Sequence, residues 1–239
     1  QASVSQESRQ PEHEVDAEPI PQTTTKIVPA PSVEHPVLLS SLAARVGQLL
    51  KQRLDSNGRP ETISVFEATT GGLINAALQS VPGASSYYHG GANIYGKMAT
   101  QLYPPELRQA LAEGAGRGGT SLGDGSRSNY ASEANYHKSK LLHTQTVATH
   151  MKKHLGSHWC ICESGATGPT FAPSDCSTGF TAIAVEGPGG IRDAIVVKSD
   201  HADREANMWQ FAKAAFELLE KLLEANPSDE SNRHLHDTK

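Results

Sequence analysis

The chain has 239 residues, a formal net charge of −5, 37% hydrophobic and 20% charged residues, which suits one globular domain with tails. It has no apolar run of about eighteen residues and no signal-peptide core, so no membrane span or leader is expected. No cationic patch dominates, so no nucleic-acid surface is expected either.

Residues 1–35 carry Glu7, Glu12, Glu14, Asp16, Glu18 and Glu34 against Arg9 and Lys26, with prolines at 11, 19, 21, 29 and 31. So little apolar surface cannot offset the entropy of ordering, and the segment reads as a disordered acidic tail. "VLLSSLAARVGQLLKQRL" (37–54) repeats its apolar residues at helical spacing and stops at "DSNGRP". "TISVF" (62–66) reads as a short buried strand, and Leu73, Ile74, Ala77 and Leu78 as the face of the next helix. "SSYYHGGANIY" (85–95) reads as a strand in which Gly90 and Gly91 mark a bulge or a close approach. "PPELRQALAEG" (104–114) is a helix opened by proline and closed by Gly114.

The glycine and serine stretch 115–129 is an excursion or flap, with a tolerated surface insertion the simpler reading. A long helix over 131–155, a strand at "HWCICES" (158–164) and a second glycine-rich turn at "GATGP" follow. "GFTAIAVEG" and "IRDAIVVKS" form a hairpin around "PGG". In the closing helix Met208, Phe211, Ala212, Ala215, Leu219 and Leu222 share a core stripe. Residues 36–226 are thus expected to form one α/β domain with a mixed sheet covered on both faces, followed by a flexible 227–239 tail.

The three cysteines, Cys160, Cys162 and Cys176, are an odd and small set that fits a reducing compartment. The expected location is the cytoplasm; the first residue is Gln rather than Met, which leaves a removed targeting segment open. Cys160 and Cys162 should share a strand face as inert thiols. The eleven histidines show no metal-ligand pattern, so no metal or other cofactor is expected.

Chemistry concentrates in "EATTGG" (67–72) and "ESGATGP" (163–169). Each follows a predicted strand and places an acid before hydroxyl and glycine residues. If the strands are parallel neighbours, both turns line one crevice. The helix after Gly72 would then aim its N–H groups into that crevice, while Thr69 and Thr70 cap the helix or donate to a phosphate. A serine at 68 or 69 would be a candidate nucleophile, but position 68 is Ala.

"FEATTGGLINAALQSVPGASSYYHGGANIY", "CICESGATGP" and "HADREANMWQFAKAAFELLEKLL" resemble the C-terminal domain of competence-damage protein CinA, which is related to bacterial nicotinamide mononucleotide (NMN) deamidases. The likeness runs over about 38–225, and "SVPGAS" (80–85) is uninterrupted. The resemblance implies a three-layer α/β/α sandwich, a homo-oligomer, and metal-free hydrolysis of NMN to nicotinate mononucleotide and ammonia. The serine nucleophile it implies falls on Ala68, and its "YSNEAK" segment falls on "YGKMAT", so Tyr95 is kept and the lysine becomes Thr100. The catalytic candidates are therefore Thr69 and Tyr95. The ligand contacts expected are Glu67, Thr70, Gly71, Gly72, Gly90, Gly91, Gly165, Thr167 and Gly168. The alternative is an inactive nucleotide-binding or oligomeric interaction module.

Overall fold

A computed structural model describes residues 37–115, 132–170, 177–199 and 201–227. Cys176, the 1–35 tail, the 227–239 tail except Pro227, and the expected 115–129 loop except Ala115 lie outside the described residues. The elements are α1 (Val37–Gln52), β1 (Ile63–Glu67), α2 (Leu73–Ser80), β2 (Tyr88–Asn93), α3 (Pro105–Ala115), α4 (Glu133–Leu155), β3 (Trp159–Ala166), β4 (Phe180–Glu186), β5 (Arg192–Lys198) and α5 (Arg204–Ala225). This is the order expected from periodicity.

The five strands form one sheet in the order β2-β1-β3-β4-β5. β1 runs parallel to β2 and β3, and β3-β4-β5 is antiparallel. Alternation along the strands sends side chains to opposite faces. Ile63, Val65, Ile161 and Ile183 pack with Val46 and Leu50 of α1, Leu78 of α2, and Phe216 and Leu219 of α5. Phe66, Cys160, Cys162 and Ala184 pack on the other face with Leu107 of α3 and Val147 of α4. The result is the three-layer sandwich, with β1 buried along its whole length as a parallel strand covered on both sides must be.

Helix ends follow local chemistry. Ser132 caps α4 by accepting from Asn135 N, and Gly156, at φ 63, ends it in the left-handed conformation that glycine adopts without penalty. Asp203 caps α5 by accepting from Ala206 N. No described helix is long and apolar enough to cross a membrane. Among the described residues no group of three His, Cys, Asp or Glu side chains is placed to hold a metal ion.

Candidate functional site

In the β1–β3 ladder Ile63 stands opposite Trp159 and Phe66 opposite Cys162. The two strands run parallel, so the segments that follow them leave the same end of the sheet, β3 continuing to Ala166 beyond the end of β1 at Glu67.

The first turn is closed by two carboxylates. Glu163 of β3 accepts from the backbone N–H groups of Ala68 (3.2 Å), Thr69 (3.0 Å) and Thr70 (3.0 Å), and from Thr70 Oγ1 at 2.9 Å. The hydroxyls of Thr69 and Thr181 donate to it as well. Glu67 accepts from Gly72 N (2.9 Å), Ile74 N (3.2 Å), Asn75 N (2.7 Å) and Asn75 Nδ2 (2.6 Å), and shares the single proton of Thr70 Oγ1, 2.6 Å away, with Glu163. The N–H groups expected to face the crevice are thus capped by Glu67. Neither threonine caps α2, whose N-cap Gly72 has no side-chain cap. Glu67 and Glu163 are both about 1% exposed. Burial raises the pKa of Glu67 above its ordinary value, its donors pull it back, and the nearby charge of Glu163 adds to the rise.

The second turn meets the start of α5. Arg204 Nη1 donates to the carbonyl of Gly168 at 3.1 Å, and its Nη2 donates to the Tyr95 hydroxyl at 2.9 Å. Tyr95 is 65% exposed, with the guanidinium 5.7 Å from its ring centroid. Asn207 Nδ2 donates to the Thr167 carbonyl at 2.8 Å. Thr167 Oγ1 and Asn207 Oδ1 are buried and have no hydrogen-bond partner among the described residues. A Cβ on Gly71 would come 2.6 Å from Met208 Cε, so α5 walls the first turn too.

The structure separates the expected ligand contacts. Gly165 lies within β3 rather than in a turn, and a Cβ there would fall 2.1 Å from the Phe180 carbonyl oxygen. Gly91 meets the Val65 carbonyl in the same way, with a register shift in the ladder beside it. These two glycines serve backbone packing. Gly90 has open space, and Tyr95, Thr167 and Gly168 gather around Arg204 and Asn207. Thr100 spends its hydroxyl on the Lys97 carbonyl at 2.6 Å. Burial pushes the Cys160 thiol up to about 12 and raises Cys162 as well, so neither is a nucleophile at neutral pH.

On the α4 face of β3, Lys140 Nζ donates to Ser164 Oγ at 3.3 Å, beside His143. Burial, then the charge of Lys140, lowers His143 to about 3. A folded value below the ordinary one of about 6.5 favours the folded state above pH 6.5 and loses that contribution as pH falls from about 6.5 toward 3. Urea unfolding at pH 7 and pH 5 should therefore show His143→Asn losing less stability on acidification than the parent, by about 1 kcal/mol once partial exposure is allowed for. Equal losses would remove His143 as the cause.

Glu163, Lys140, Ser164, Arg204 and Asn207 were not among the candidates read from sequence. Glu163 carried a visible signal, a charge inside the apolar run "WCICES".

The sequence model of the CinA C-terminal domain matches residues 40–102 and 141–223, with Ser164 inside the second stretch and Lys140 just outside it. A CinA-like protein of Trichodesmium erythraeum is 32% identical over 130 residues, 54% of this chain and 24% of its own length. One from Synechocystis is 26% identical over 185 residues, 76% of this chain and 36% of its own. The chain thus spans about a quarter to a third of the curated relatives it matches. Among solved structures, a competence-damaged protein (CinA) superfamily member from Klebsiella pneumoniae superposes with TM-score 0.59 at 19% identity, covering 79% of this chain and 99% of that one. A competence/damage inducible protein from Agrobacterium tumefaciens gives 0.58 at 19%, with 80% and 99% covered.

Proposed function

The chain belongs to the CinA C-terminal domain family, and we propose that it is a nucleotide-binding member whose first turn holds structure rather than performs amide hydrolysis. One observation carries this reading: Glu163 binds the backbone and hydroxyls of residues 68–70, where a nucleophile and its oxyanion donors would otherwise be free. Ala68 has no group to attack with. Thr69, 6% exposed, donates its hydroxyl to a carboxylate whose lone pairs are already shared among several donors.

The ligand chemistry then moves to Arg204 and Tyr95. The guanidinium uses two of its donors on Gly168 and Tyr95 and has others for a phosphate, while the exposed Tyr95 ring offers a face to a pyridine or a base. Two carboxylates at the first turn would repel a phosphate there. A pyridine mononucleotide such as NMN is the probe, and self-assembly into a homo-oligomer, as the resemblance implies, belongs to the same proposal. No nucleic acid or membrane partner is invoked.

Millimolar NMN should raise the melting temperature, and Arg204→Ala should abolish that rise. Absence of any rise in the parent would reject the nucleotide reading. Hydrolysis through a shifted nucleophile is the second reading, favoured by the Thr69–Glu163 contact. It requires ammonia release from NMN that disappears in Thr69→Val, and that result would overturn the holding role of the turn.

A further inference from the structure

We propose that Ser164 and Lys140 form a serine–lysine nucleophile pair that attacks small uncharged carboxylic esters or amides. The proposal is independent of nucleotide binding at Arg204. Ser164 is the β3 residue after Glu163 and so projects to the opposite face of the sheet, toward α4. There its hydroxyl, in a residue 6% exposed, accepts from Lys140 Nζ at 3.3 Å.

Lys140 is an unusual lysine for a stable fold. Among the described residues it forms no ion pair. Its contacts are Ser164 and the ring of Tyr136, whose centroid lies 5.7 Å away. Lys140 is part-buried rather than sealed from solvent, and an ammonium partly withdrawn from water without a paired charge gives up its proton more easily than a fully solvated one. Burial lowers its pKa, with the charge of Glu163 and the Cys162 thiol opposing. His143 lies on the same helix and is itself held neutral at pH 7. A purely structural partner for Ser164 would not need a cation: Ser64 of β1 and Ser157, just before β3, satisfy each other at 2.8 Å. Hydroxyl and amine within hydrogen-bond reach, the amine biased toward its neutral form, are the two parts a serine nucleophile needs.

The reaction balances with these groups alone. Ser164 Oγ bonds to the acyl carbon as its proton passes to Lys140 Nζ. Collapse of the adduct breaks the bond to the alcohol or amine, which leaves with that proton. Water then attacks the acyl-serine, Lys140 takes its proton, and Ser164 regains one as the acid departs. The Tyr136 ring beside Lys140 and the low exposure of Ser164 favour small, uncharged acyl groups.

The test is covalent labelling of the full chain with a fluorophosphonate, followed by peptide mass spectrometry. Ser164 Oγ displaces fluoride at phosphorus, and the label should sit on Ser164. Lys140→Arg keeps the cation but cannot serve as base, and should label about 100-fold more slowly or worse. The labelling rate of the parent should rise with pH through a step below 10.5, which checks the pair without any substitution. No label on the parent, a label that persists in Ser164→Ala, an unchanged rate in Lys140→Arg, or no step below 10.5 would each overturn the proposal.

Discussion

Glu163→Ala should lower stability by about 4 kcal/mol and the melting temperature by about 8–16 °C. The carboxylate is the shared acceptor for three backbone N–H groups of residues 68–70 and for the hydroxyls of Thr69, Thr70 and Thr181. The hydroxyls can rotate toward other acceptors, but the N–H groups cannot. Each buried donor left unpaired costs about 1–3 kcal/mol, so three of them outweigh the relief of removing a buried charge. Glu163→Gln keeps one acceptor oxygen and should lose about half as much. Thermal melts of the two variants beside the parent check the order. A Glu163→Ala protein that melts within a degree or two of the parent would mean the turn holds itself, and the argument for a sealed first turn would fail.

The same residue shows where sequence reading reached its limit. Periodicity placed every described α-helix and strand but not the 3-10 helix Lys97–Leu102, because α1 repeats its apolar residues at helical spacing and β1 is an apolar run bounded by turn residues. The parallel pairing of β1 and β3 was conditional in the sequence and is observed. Beyond that, contacts decide, and contacts join residues far apart in the chain. The acid of "CICES" was visible, but its partners Thr69 and Thr181 are reached only across strand pairing and a turn. Tyr95 was legible as a catalytic candidate. Its partner Arg204 comes from α5, after all five strands have been laid down. Lys140, in "HKSKLL", reads as one more solvated helix lysine until β3 brings Ser164 beneath it. Gly165 was readable as special, but its reason was not.

That reason makes Gly165→Ala the second large effect. Gly165 pairs with Thr181 across the β3–β4 ladder. A Cβ would stand 2.1 Å from the Phe180 carbonyl oxygen and 2.5 Å from Thr181 Cα. Both obstacles are backbone, so relief requires the strands to move apart at the junction on which Glu163 and Ser164 also depend. A misfit of this kind exceeds the usual range for an overpacked side chain, and a loss of about 3 kcal/mol or more is expected, or about 6–12 °C in melting temperature. Gly72 is the control. Its φ of 99 disfavours a side chain, yet nothing lies within 4 Å of the added atom. Gly72→Ala should therefore cost only the conformational penalty, about 1–2 kcal/mol. If Gly165 instead touches ligand and not backbone, Gly165→Ala would melt like the parent and lose only the response to NMN. The two measurements, melting temperature alone and melting temperature with NMN, separate a glycine needed for packing from one needed for binding.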